Sequence, residues 1–227
     1  MRKFEYIKLD SLNFDLSSNT TSKGRTYTTP EGNVYPSITT VLSGMNKEHI
    51  QKWIDSIGEK EANRIKNKAA DRGTKLHEVC EKYLLNEMTE FKLTAIMPDI
   101  GSLFIKLYPE LDKNIGKVYV VEQALYSDEM KVAGRVDCIA EWNGKLSVID
   151  FKTSTKIKKE ENIQNYFMQC SAYSQMFLER TGILIDQIVV AIAVEESNVS
   201  QIFVRETNDY LQKTKDYIQN YHNNLNK

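Results

Sequence analysis

Apolar and polar positions follow two different periods along this chain, and the change between them divides it. In the first half the apolar positions recur at helical spacing. Between residues 59 and 86, Ala62, Ile65, Ala69, Leu76, Val79, Cys80, Tyr83 and Leu84 roughly mark one stripe of a long helix. Gly73 interrupts it; glycine there costs about 1 kcal/mol relative to alanine and marks a kink or a close backbone approach. A helix over residues 47–57 precedes it, with a break near Gly58. Another runs from Ile96 to Leu107 and stops before Pro109. Ser37 caps a short helix through Leu42, ended by Gly44. Further upstream, Phe4 to Leu9 reads as a short strand and residues 10–24, rich in Ser, Asn and Thr, as a loop. Tyr27 to Tyr35 reads as two extended pieces about Pro30-Glu31-Gly32-Asn33.

From Lys117 the character changes. Lys117 to Tyr126, Lys131 to Glu141 and Lys145 to Lys152 are three consecutive strands. Asn143-Gly144 joins the last two, because a type I′ hairpin turn needs positive φ at both central positions. Asn162 to Arg180 is helical, with Gly182 just beyond. Leu184 to Val194 is a strongly apolar strand, buried and central. A strand from Ser200 to Glu206 and a helix from Asn208 complete an α/β sheet with helices packed on it.

The hairpin concentrates candidate chemistry. Side chains alternate faces along a strand, so Asp150 and Lys152 share a face and Phe151 takes the other. Asp137 lies far from the turn on the paired strand, as Asp150 does. Val136, Cys138, Ile149 and Phe151 flank the two acids. Carboxylates in such surroundings are costly unless paired or bound to a cation, and their hard oxygens suit Mg²⁺ or Mn²⁺. Lys152 either compensates Asp150 or stabilises charge on a phosphate; an ordinary lysine is a poor general base. A lone helical histidine is more often structural or surface than a ligand, but His77 sits at the edge of the long helix's apolar stripe, where a neutral imidazole facing the sheet could complete a metal shell. Arg64, Lys68, Arg72 and Lys75 form a basic stripe on that helix, read equally as a solvated face or a phosphate track. Tyr27, Tyr35 and Trp53 are core residues or base-stacking platforms, with core preferred for Trp53.

Composition limits the possibilities. The 227 residues suit one domain with a sizeable core, and the net charge of −1 leaves any basic surface local. Three scattered cysteines argue against a disulfide framework and a zinc ribbon. No membrane span or secretory signal is visible, so the expectation is a soluble protein inside the cell.

Taken in order, Arg72-Gly73-Thr74-Lys75-Leu76-His77, Gly134-Arg135-Val136-Asp137, Ile149-Asp150-Phe151-Lys152-Thr153-Ser154 and Gln169 with Tyr173 resemble the RecB-like branch of the PD-(D/E)XK nuclease superfamily. The resemblance implies a restriction-endonuclease-like α/β core: a central mixed sheet flanked by helices in αβββαβ order, over residues 59–227. Residues 1–58 would be a mainly helical subdomain that guides DNA. It implies His77, Asp137, Asp150 and the Phe151 carbonyl as ligands of one or two Mg²⁺ or Mn²⁺ ions, and Lys152 as the catalytic lysine. Glu122 is a possible additional acid. Gln169, Tyr173, Thr153 and Ser154 would support the site and the DNA; Ser37 and Thr39 would join the basic stripe in binding it. Some relatives carry a four-cysteine iron–sulfur cluster; here no cysteine precedes His77 and none follows Cys170, so none is expected. The implied protein is a monomeric DNA exonuclease acting on single strands or free ends in replication, recombination or repair, in the cytoplasm of a bacterial or phage-infected cell. The rival readings are a non-catalytic DNA-binding protein on a degenerate nuclease fold and an endonuclease.

Overall fold

The computed structural model describes residues 2–88 and 97–225. Its frame is a five-stranded sheet. β4 (Ile115–Ser127), β5 (Val132–Trp142), β6 (Lys145–Ser154), β7 (Gln187–Val194) and β8 (Gln201–Glu206) lie side by side in that order. All neighbours are antiparallel except β6 and β7, which run parallel. A parallel pair needs a crossover, supplied here by α5 (Gln164–Thr181). Asn143 and Gly144 both have positive φ, 52° and 78°, as the predicted β5–β6 turn requires.

Alternation along β6 sorts side chains onto two cores. Ile149 and Phe151 pack under α3 (Glu59–Leu84) and α4 (Pro98–Asn114), among Leu76, Phe104 and Leu107. Val148 faces the opposite core with Phe167 and Met176 of α5, Ile38 of α1 (Ile38–Leu42) and Ile218 of α6 (Asn208–Leu225). The sheet is covered on both faces, so β7 is buried along its whole length.

Several elements depart from the sequence pattern. Residues 10–24, read as a loop, include β1 (Ser17–Thr21). With β2 (Gly24–Thr28) and β3 (Val34–Pro36) it makes an antiparallel three-stranded sheet. Every residue of β1 is exposed, so backbone pairing rather than an apolar face holds it, and no alternation marks it. Phe4 to Leu9 forms an isolated bridge between Tyr6 and Val118 rather than a strand. Gly44 does not end the first helix; a 3₁₀ turn, Ser43–Asn46, carries α1 into α2 (Lys47–Ile57). Helix α4 runs through Pro109 to Asn114, and the predicted start at Ile96 lies outside the described residues. A helix-interior proline costs roughly 3 kcal/mol, and burying Leu111 beyond it, at about 1.5–3 kcal/mol, offsets much of that. Helix α3 continues past Gly73, where an added Cβ would meet only Thr153 Oγ1 at 3.9 Å. Trp53, expected in the core, is half-exposed, and α2 buries none of its side chains.

Candidate functional site

The hairpin's register sets the carboxylates. Cys138 pairs with Ile149, so Asp137 and Asp150 fall one step further from the turn. Each is pinned by a hydrogen-bond donor. Asp137 Oδ2 accepts from the Phe151 amide at 2.8 Å, and Asp150 Oδ1 accepts from Gln169 Nε2 of α5 at 3.0 Å. Lys152 closes an ion pair on Asp150 Oδ2, with its ammonium 5.2 Å from the Tyr166 ring centre. Asp150 is 1% exposed. Burial pushes its pKa up, against the pull of Lys152. Burial lowers the Lys152 pKa, but Asp150 and Asp137 outweigh it, so the ammonium is held more firmly than usual.

His77 reaches the site from α3. Its Nε2 lies 2.6 Å from the Phe151 carbonyl, and since a carbonyl only accepts, Nε2 is the donor. Nδ1 therefore faces Asp137 at 3.6 Å and Glu122 at 3.7 Å. Burial lowers the His77 pKa, but these two acids more than reverse that and raise it to about 9. Glu122 holds a left-handed backbone inside β4, φ 48°, a conformation uncommon outside glycine, and Arg135 hydrogen-bonds its carbonyl. Donor atoms of His77, Glu122 and Asp137 all lie within 4.8 Å of one another. Two carboxylates and an imidazole fit a hard divalent cation. Of the expected ligands, the structure groups His77 and Asp137 with Glu122. Asp150 stands beside them, held by Lys152, and the Phe151 carbonyl is engaged by His77.

His77, Glu122, Asp137 and Lys152 line a cavity of about 300 Å³ with Gln169 and Tyr173. The N-terminal sheet and α1 supply its other wall through Arg25, Tyr27, Ser37 and Thr39. Ser37 is fixed there twice: its hydroxyl caps α1 at Thr40 N (3.0 Å), and its backbone bridges to Ala133. Gly134 is required by contact, because a Cβ would lie 2.8 Å from Tyr173 Cε1. Ser154 donates to the Lys156 carbonyl at 2.6 Å, and Thr153 faces α3; neither lines the cavity.

The basic stripe does not act as one surface. Arg64 pairs with Glu61 and Lys75 with Asp71, both within α3. Arg72 turns inward to Glu195 at 2.5 Å and Thr155 at 3.2 Å, tying α3 to the ends of β6 and β7. Lys68 stays exposed. Sequence reasoning passed over Tyr166, although it precedes Gln169 and Tyr173 by three and seven positions on one helix face. It also missed Arg25, for which a polar segment without periodicity gives no signal.

A mixed sheet whose central hairpin carries an acid, a second acid and a lysine, with an imidazole delivered from the preceding helix, is the restriction-endonuclease-like arrangement. Comparison with known families agrees: residues 93–221, more than half of the chain, match the PD-(D/E)XK nuclease superfamily, and the chain belongs to it. It is similar to human mitochondrial genome maintenance exonuclease 1, with 31% identity over 134 residues. That match covers 56% of this chain and 38% of the human protein. The mouse protein of the same name is 40% identical over 55 residues, 24% of this chain and 16% of its own length. Among the described residues, no helix is long and apolar enough to cross a membrane.

Proposed function

We propose that this chain is a metal-dependent deoxyribonuclease that removes nucleotides from single-stranded DNA or free DNA ends. The observation that carries this reading is the His77–Glu122–Asp137 cluster sharing one cavity with Lys152, which is ion-paired to Asp150 behind it. Superfamily membership supports hydrolysis of a phosphodiester, and the similarity to an exonuclease supports attack from an end.

His77 Nδ1, Glu122 and Asp137 would hold Mg²⁺ or Mn²⁺, whose Lewis acidity lowers the pKa of water and offsets phosphate charge. The remaining work falls to the chain. Lys152 keeps its proton at neutral pH, so it donates hydrogen bonds to the attacking water and to a non-bridging phosphate oxygen. Asp150, buried beside the cavity, holds the Lys152 ammonium in place through its ion pair. Gln169 fixes the orientation of that carboxylate, and the Phe151 amide does the same for Asp137. Ser37, Thr39 and Arg25 face the substrate from the opposite wall.

The test is digestion of end-labelled single strands, duplexes and circular single strands with Mn²⁺ or with EDTA. Linear strands are degraded with Mn²⁺ while circles survive. Lys152→Ala lowers the rate by at least about 100-fold. Undiminished cleavage by that variant overturns the mechanism, and cleaved circles overturn the exonuclease assignment.

A further inference from the structure

Helix α2 is amphipathic yet has no buried residue. Ile50 is 41% exposed and Trp53 half-exposed, on a helix whose main neighbours are α3 and its own leading turn. Such a face needs an occupant. Met45, His49, Ile50 and Trp53 form one side of a groove, and Glu161 and Asn162 form the other. Asn162 lies in the 3₁₀ turn Glu160–Ile163 that leads into α5. From there α5 presents Tyr166, Gln169 and Tyr173 at steps of three and four, along one helix face. Tyr166 sits against Lys152, and Gln169 and Tyr173 line the catalytic cavity. The groove's Asn162 thus stands four residues before Tyr166, the residue that meets Lys152.

The groove's chemistry selects the occupant. Its walls are an indole, an isoleucine and a methionine, with the Lys66 ammonium 6.0 Å from the Trp53 ring centre. The acid in it, Glu161, has Lys159 3.9 Å away. An indole beside apolar side chains, with a cation over its ring, takes a nucleobase by its face and the attached phosphate by charge. A base inside a duplex has both faces stacked on its neighbours and none to offer. Resting on the nuclease reading, we propose that Trp53 is a stacking platform for an unpaired nucleobase of the strand whose scissile phosphate lies at Lys152, so that this groove selects single strands.

Fluorescence separates this from other roles. The chain has two tryptophans, and Trp142 is 1% exposed, so a strand stacking on Trp53 quenches that indole selectively. The 227-residue chain is titrated in EDTA with an oligothymidylate of about 12 nucleotides. Binding is followed by anisotropy of a labelled strand and by intrinsic fluorescence. The expected result is saturable quenching that tracks binding, abolished in Trp53→Phe, which still binds. Trp53→Ala, folded as judged by circular dichroism, binds about tenfold more weakly. Wild-type affinity in Trp53→Ala, or quenching that persists in Trp53→Phe, overturns the platform alone. A wild-type chain that neither binds the strand nor degrades it with Mn²⁺ overturns the nuclease reading beneath it.

Discussion

His77 carries opposite pH dependences in the metal-free and metal-bound protein. Its pKa rises from 6.5 to about 9 on folding, because Asp137 and Glu122 outweigh burial. A raised folded pKa gives stability that is fully present below pH 6.5 and is lost as pH climbs through 9. In EDTA the melting temperature therefore falls across that interval. Cation binding must displace the same proton from Nδ1, so Mn²⁺ affinity rises across it and binding releases a proton. Calorimetry at constant ionic strength in buffers of different ionisation enthalpy checks both signs; pH-independent Mn²⁺ affinity removes His77 from the cation's ligands. Glu122 supplies a second residue-scale test. Its left-handed backbone costs about 1 kcal/mol for any residue but glycine. Glu122→Gly and Glu122→Ala both lose the carboxylate and both weaken Mn²⁺ binding. Only glycine relieves the backbone, so denaturant titration finds it about 1 kcal/mol the more stable of the two.

At the scale of elements, α3 divides its positive charges between tasks. Arg72 is 11% exposed and clamps α3 to Glu195, itself 32% exposed. Arg72→Ala costs about 2 kcal/mol in denaturant unfolding. Lys68 points to solvent, so Lys68→Glu leaves the melting temperature alone and weakens oligonucleotide binding with a shallower salt dependence. If both variants lose only binding, Arg72 belongs to the substrate surface after all. The β5–α5 contact makes a sharper demand. Gly134→Ala would place a methyl 2.8 Å from Tyr173 Cε1 and 3.2 Å from Ile38 Cγ2. Overpacking of that kind costs about 1–3 kcal/mol and lifts α1, with Ser37 and Thr39, from the cavity. Lower melting temperature together with a raised KM for DNA is the expected pair of results.

Across the whole molecule, what the sequence revealed depended on distance along the chain. The β5–β6 hairpin and its acids were legible because a two-residue turn, a period of two and a local Asp-Phe-Lys run all lie within about 20 residues of one another. The long helix through His77 was legible from its stripe. The polar strand β1 was not, since it buries nothing and its pairing with β2 leaves no trace in side-chain pattern. Pro109 misled because a local rule stopped the helix where packing of Leu111 carries it on. Arg72 was grouped with its helical neighbours because its partner, Glu195, belongs to a different part of the chain. Glu122 could be nominated as an acid, but its backbone conformation, which turns it to His77, has no sequence signature.

That same separation orders the assembly of the site in time. Asp137 and Asp150 meet through a hairpin, an event of about microseconds. His77 reaches the Phe151 carbonyl across 74 positions, after far larger loops have closed. Contacts made after the rate-limiting step govern how fast a protein comes apart and leave its folding rate alone. A cation bridging His77 to the hairpin acids would thus lengthen the life of the folded chain without hastening its formation. Removing it would appear first as a protein that turns over sooner.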